Sequence, residues 1–258
     1  TLAKAFAKAL SLKFSRIQFT PDMFPSDVTG TLIYNPKTGE LEPRLGPIFA
    51  SIILVDEINR APPRTQAALL EAMQERQVTI GSMTYSLPQP FMVIATQDPL
   101  EMEGTYPLPE AELDRFMIKI EMGYPTREVE IELINSDYLD VSIVNPIVSI
   151  ESIEMLQSQV KRVTISDEVR DYIVEIGEAT RKNPAIRLGA SPRAIQMLAK
   201  LSRAWALLND RNAVSIDDVK SLAQFVLSHR VFTIRGDPRD LIRKIVEETE
   251  TPFSRRLK

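Results

Sequence analysis

The sequence predicts an α/β domain built on a parallel sheet, residues 1–123, followed by an all-α domain, residues 124–258. Three observations predict it. Residues 51–55 (Ser-Ile-Ile-Leu-Val) and 91–95 (Phe-Met-Val-Ile-Ala) are continuous apolar runs set between helix-like segments, the pattern of strands buried on both faces. From Tyr124-Pro125-Thr126 onward the text is almost entirely helix-like. With 258 residues, 44% of them apolar and 26% charged, the chain is long enough to bury a core in each half.

Taken in order, residues 2–10 read as an Ala/Lys-rich amphipathic helix and residues 14–19 alternate as a strand. A hairpin is expected near 31–43, turning at Asn35-Pro36-Lys37-Thr38-Gly39, and a second near 77–87, turning at Gly81-Ser82. Between them Pro62-Pro63 opens a helix over 64–75, because proline suits a first helical turn. The second half holds about five helices. Their starts are written in capping chemistry: Ser166 before Asp167-Glu168, Ser191 before Pro192, and Ser215 ahead of Asp217-Asp218. Turns at Asn183-Pro184, Asn209-Asp210 and Gly236-Asp237-Pro238 separate them.

Composition narrows the chemistry. The chain has no Cys, which removes disulfides, thiolate zinc sites and Cys nucleophiles together. A single histidine, His229, argues against a histidine-based metal site or a Ser-His triad and reads as a packing or capping residue. No apolar run approaches the length of a membrane span, so no membrane insertion is expected. The first residues carry neither the apolar core nor the cleavage site of a secretion signal, which points to a cytoplasmic protein. Residues 1–122 hold 11 Lys and Arg against 15 Asp and Glu, whereas 123–258 hold 20 of each, so the acidic excess is confined to the first half. That disfavours nucleic acid, which needs a basic face. Trp205 reads as core, and Arg255-Arg256 with Lys258 as a solvated basic tail. Carboxylates, arginines and a borrowed metal ion remain for catalysis.

The strongest motif is Ser51-Ile52-Ile53-Leu54-Val55-Asp56-Glu57-Ile58-Asn59-Arg60. It places Asp56 and Glu57 where a buried strand emerges from an open parallel sheet, and successive strand side chains point opposite ways, so the two carboxylates can take different roles. In a nucleotide hydrolase the first would hold Mg²⁺ largely through its water shell, and the second would orient and deprotonate the attacking water. A second strand ends in the same manner, at Ala95-Thr96-Gln97-Asp98.

These two strand ends, with Gly46-Pro47-Ile48-Phe49, Ala72-Met73-Gln74-Glu75, Glu103-Gly104-Thr105-Tyr106-Pro107-Leu108-Pro109-Glu110-Ala111 and Leu113-Asp114-Arg115-Phe116, resemble the MoxR family of AAA+ ATPases over residues 1 to about 235. The resemblance implies a P-loop NTPase core with an all-α lid, and ATP and Mg²⁺ as cofactors. Asp56 and Glu57 match the Walker B pair, Mg²⁺ ligand and catalytic base. Asp98 falls on the sensor 1 position, Arg115 on the arginine finger that reaches a neighbouring subunit's nucleotide, and Arg193 on sensor 2. Arg60 and Arg64 are further candidates for inter-subunit contact. The two hairpins match inserts that face a central pore in related machines. The family also implies a homo-oligomeric ring, a hexamer, that remodels or matures client protein complexes, with von Willebrand factor A-type domain proteins as partners.

The arginines carry physical weight of their own. Arg193 sits near the second position of a helix, where the positive end of the macrodipole disfavours a cation by about 0.3–1 kcal/mol, so an anion such as phosphate is expected beside it. Arg115 follows Glu110, Glu112 and Asp114, with which it could simply form an intrahelical pair. A trans arginine on a transferring phosphoryl group is worth about 10³–10⁵ in rate in GTPase systems.

Two departures from the family pattern stand out. Asp98 occupies a position where the family usually has Asn; an ionised acid only accepts hydrogen bonds, whereas an amide also donates to phosphate. Asp98 is therefore expected to slow hydrolysis or to be offset by a nearby cation. Second, no Gly-x-x-x-x-Gly-Lys-Ser/Thr occurs in residues 1–258, and Thr1 falls in what resembles the helix directly after that loop. The expectation is a sheet lacking its first strand and phosphate loop, in a sequence that is part of a longer protein. Two alternatives share the composition: a chelatase-type subunit for metal insertion, and a scaffold that binds nucleotide without hydrolysing it.

Overall fold

The computed structural model describes residues 1–98, 104–135 and 141–251. Glu103 of the motifs above, and the basic tail at 255–258, lie outside the described residues. In chain order the elements are α1 (Leu2–Ala9), β1 (Phe14–Gln18), α2 (Pro25–Thr29), β2 (Gly30–Asn35), β3 (Glu40–Leu45), β4 (Ile52–Asp56), α3 (Pro63–Glu75), β5 (Gln77–Ile80), β6 (Met83–Ser86) and β7 (Met92–Ala95). There follow α4 (Glu110–Leu113), α5 (Arg127–Asn135), α6 (Ile150–Val160), α7 (Asp167–Lys182), β8 (Ile186–Leu188), α8 (Pro192–Leu208), α9 (Ile216–Leu227), β9 (Phe232–Thr233) and α10 (Pro238–Glu248).

Contacts divide the chain into two compact units. The first joins Thr1–Pro109 to Tyr124–Glu154; the second joins Glu110–Gly123 to Met155–Lys258. The sequence suggested one boundary after Gly123, whereas the chain passes between units there and also after Pro109 and after Glu154.

The first unit is built on a parallel sheet of order β1-β4-β7. Its central strand carries Ile52, Ile53 and Val55, all fully buried, as a strand covered on both faces requires. Leu69 and Leu70 of α3 are buried with them, and Pro63 opens that helix as expected. Both hairpins form where the turn chemistry placed them, β2 with β3 and β5 with β6. The stem of the first closes on two glycines. A Cβ on Gly30 would stand 2.3 Å from the Arg44 carbonyl oxygen and 2.6 Å from the Gly46 nitrogen, and one on Gly46 would stand 2.6 Å from the Gly30 nitrogen. No side chain fits at either position. The segment after Tyr124 belongs to this unit because it is stitched to α1: Lys8 Nζ donates to the carbonyls of Val141 and Ser142 at 3.0 and 2.7 Å, and Ile147 N–H to that of Ala9 at 2.8 Å.

The second unit buries Tyr172, Ile173, Ile176, Leu198, Val226, Leu227 and Ile242 in one apolar cluster. The Tyr172 hydroxyl donates to the Val246 carbonyl at 3.0 Å, and burial pushes its pKa up to about 12. Each expected cap is made: Ser166 accepts from Val169 N–H, Ser191 from Ala194 N–H and Ser215 from Asp218 N–H. Two details differ from the sequence reading. The helical unit contains a small antiparallel pair, β8 with β9, which an all-α reading did not include. Trp205, expected in the core, is 42% exposed.

Candidate functional site

The three parallel strands end together. Register pairs Gln18 with Asp56 and Val55 with Ala95, so Asp56, the last residue of β4, with Glu57 after it, and Thr96-Gln97-Asp98, which follow β7, emerge at one end of the sheet. The carboxyl edge of a parallel sheet is where such folds place ligands.

Thr96 ties the two strand ends. Its hydroxyl accepts the Glu57 N–H at 3.0 Å and donates to Asp56 Oδ1 at 3.3 Å, while its carbonyl accepts the Ile58 N–H at 3.0 Å. The neighbouring strand adds two polar side chains. Arg16 Nε donates to Asp56 Oδ2 at 2.6 Å and Gln18 Nε2 to Glu57 Oε2 at 2.7 Å, and Arg16 Nη2 donates to Gln18 Oε1 at 3.0 Å. Arg60 Nε lies 3.1 Å from the same Glu57 oxygen.

Glu57 has a left-handed backbone, φ 57° and ψ 53°. A non-glycine residue there costs about 1–3 kcal/mol, and such strain collects at functional sites. It is fixed by the Thr96 bond to its amide and by the Arg60 N–H on its carbonyl at 2.8 Å. Asp56 alone keeps the alternating direction of the pleat. Glu57 diverges from it because the chain leaves the sheet through a left-handed turn.

Asp98 is half-buried, two residues beyond Thr96. Among the described residues no three His, Cys, Asp or Glu side chains gather closely enough to hold a metal ion, so Asp56, Glu57 and Asp98 do not form a joint ligand set. Beside the Asp56 carboxylate stands the Thr96 hydroxyl. These hard oxygen donors fit Mg²⁺, which keeps several waters and uses few protein ligands.

The remaining two candidates belong to the second unit. Arg193 is the second residue of α8, and its Nη1 lies 3.7 Å from Asp114 Oδ2. Arg115 occupies the turn after α4, beside Glu112. Burial raises the Glu112 carboxyl pKa above its usual range, and the Arg115 charge offsets part of that rise. Asp114 is the hub here: it pairs with Arg230 at 2.9 Å and accepts from the Ser191 hydroxyl at 3.2 Å.

Sequence reasoning missed Arg16, Gln18, Asp114 and Arg230. A signal for the first two was present. In β1 and just after it, the exposed polar residues 16 and 18 alternate with buried Ile17 and Phe19, which marks a strand with one polar side at the sheet's working end. Nothing local to residues 114 or 230 marks their pairing.

A three-stranded parallel sheet with paired acids at its carboxyl edge, together with a helical unit, is the architecture of an AAA-class nucleotide-binding fold. Comparison with known proteins agrees. The family described as "ATPase family associated with various cellular activities (AAA)" matches residues 1–118, and the AAA lid domain matches residues 178–250. The chain is 45% identical to YeaC of Bacillus subtilis, an uncharacterized protein, over 98% of this chain and 82% of that one. It is 43% identical to the chaperone MoxR1 of Mycobacterium tuberculosis, over 90% of this chain and 64% of that protein. Against protein MoxR of Methylorubrum extorquens it is 31% identical, over 90% of this chain and 75% of that one. A crystal structure from Cytophaga hutchinsonii assigned as an ATPase superposes with a TM-score of 0.88 at 40% identity, covering 96% of this chain and 80% of its own. The chain therefore belongs to the MoxR family of AAA+ ATPases. Among its described residues no helix is long and apolar enough to cross a membrane.

Proposed function

We propose that this chain hydrolyses ATP as one subunit of a homo-oligomeric ring, a hexamer, and uses the energy to remodel or mature client protein complexes, with von Willebrand factor A-type proteins as partners. The observation that carries the hydrolytic part is the Asp56-Glu57 pair at the carboxyl edge of the sheet, with the Glu57 carboxylate held on one oxygen by Gln18 and Arg60. Held in that way, Glu57 presents a carboxylate of fixed direction to an attacking water, orients it and takes its proton. Asp56, with the Thr96 hydroxyl beside it, would hold Mg²⁺ through water. Bound there, the ion supplies charge neutralisation to the phosphates. Arg193 and Arg115 are assigned to phosphate charge, the first within the subunit and the second on a neighbour's nucleotide. The chaperone name of MoxR1 supports the remodelling role.

The test is made on the natural full-length protein. Glu57→Gln should lower ATP turnover by about 10²–10⁴-fold while a fluorescent ATP analogue still binds. Unchanged turnover would overturn the assignment. Asp98→Asn separates the role of the unusual acid: single-turnover hydrolysis should rise, and an unchanged rate would show that Asp98 is no brake.

A further inference from the structure

We infer that Arg230 is a positioning residue for Arg115, setting the direction of that side chain. The inference rests on the proposed role of Arg115 at a neighbour's nucleotide.

Arg230 follows α9, and its side chain is 1% exposed. A buried guanidinium must find partners for its donors. It has five N–H groups, and the structure gives each an oxygen. Nε donates to Asp114 Oδ1 at 2.9 Å; Nη2 donates to the carbonyls of Asp114, at 3.2 Å, and Phe116; Nη1 donates to the carbonyls of Met117, at 3.0 Å, and Val226. Four of the five bonds fall on residues 114, 116 and 117. They bracket Arg115 on both sides and leave its side chain untouched. His229 adds to the grip, its Nε2–H donating to the Phe116 carbonyl at 2.9 Å.

The gripped segment has no regular structure of its own. It is a turn after the four-residue helix α4, so these carbonyls have no helix or strand ladder to orient them. A rigid five-donor fork replaces that ladder. Filling the same space with apolar side chains is often neutral or stabilising, so stability alone does not explain a buried arginine at this point. The lock also joins the two phosphate-directed arginines. The carboxylate that anchors Arg230 accepts from Ser191, the N-cap of α8, and stands 3.7 Å from Arg193.

The experiment uses the natural full-length protein. In Arg230→Met the fork is gone, and kcat for ATP should fall by about 10²-fold, the cost of a misplaced catalytic group, with KM for ATP unchanged. Arg230→Met subunits mixed with Glu57→Gln subunits should regain hydrolysis, because each kind supplies what its neighbour lacks. A merely structural role would not be rescued in this way. Arg230→Lys keeps the charge without the fork and should fold where the Met variant fails to; its kcat should lie between those of the Met variant and the native protein. Native kcat in Arg230→Lys, or no rescue on mixing, would overturn the inference. Arg115→Ala is the control for the underlying reading: if it leaves kcat unchanged, the assignment of Arg115 itself fails. If Arg115→Ala is rescued by Glu57→Gln while Arg230→Met is not, the assignment stands and the role of Arg230 falls.

Discussion

Two aspartates, one in each unit, face arginines in opposite circumstances. Asp56 and Asp114 have equally exposed side chains, 19% each. The partner of Asp56, Arg16, is 60% exposed, whereas the partner of Asp114, Arg230, is 1% exposed. What decides whether an ion pair can be released is the burial of its cation. Arg16 can swing into water at a cost within the range of surface pairs, about 0–1 kcal/mol. Asp56 can then turn to another cation, as the Mg²⁺ role proposed for it requires. Arg230 has no water to turn to. The pair in the second unit is an anchor, and the pair in the first is a placeholder.

The largest effect that would test this contrast is at the anchor. Asp114→Ala leaves the Arg230 charge buried without its carboxylate, and stability should fall by about 3–5 kcal/mol. Thermal unfolding of the variant would measure it, and a loss below 1 kcal/mol would break the comparison.

Next comes acidification. Burial, with the positive charge of Arg230 next to it and of Lys119, pushes the His229 pKa down to about 4; Asp114 and the Phe116 carbonyl push the other way without prevailing. The unfolded chain titrates this group near its ordinary value of 6.5. The folded state thus binds fewer protons between these values, and stability from this residue, complete above pH 6.5, is lost as the pH falls towards 4. The loss amounts to about 3 kcal/mol. Denaturant unfolding across that window should show the slope, and His229→Gln should remove it.

The smallest effect is expected at the placeholder. Arg16→Gln should change stability by less than about 1 kcal/mol, while the Mg²⁺ concentration needed for half-maximal hydrolysis falls because Asp56 loses its competing cation. A stability loss like that of Asp114→Ala would erase the distinction between the two pairs.

Much of this was legible in the sequence where the physics is local. The runs that became β4 and β7 announce themselves through unbroken apolar residues, and Gly39 and Gly81 turn the hairpins with positive φ. Ser166, Ser191 and Ser215 cap helices through bonds to residues three positions on. What stayed hidden is non-local. β8 and β9 have three and two residues, too short for any period to show. The Arg16 bond to Asp56 depends on parallel register between strands, and the Asp114 lock joins residues 116 positions apart. Glu57 carries no mark of a left-handed backbone, since the strain is imposed by Thr96 and its neighbours rather than chosen by the residue. The three passages between units, where the sequence suggested one, likewise follow from contacts such as those of Lys8 with 141 and 142.

The glycine-closed stem of the first hairpin has a mechanical consequence. With backbone against backbone at Gly30 and Gly46, and the Ile80 side chain close against Gly30, the joint has little slack in which to dissipate a displacement. Six-residue strands at about 3.3 Å per residue make an arm of about 20 Å, so a tilt of about 10° at the stem carries the tip through about 3–4 Å. The stem leads in six residues to β4, the strand that ends in Asp56. A small movement at that strand is thus geared up at Tyr34 and Leu41, the exposed apolar pair beside the turn.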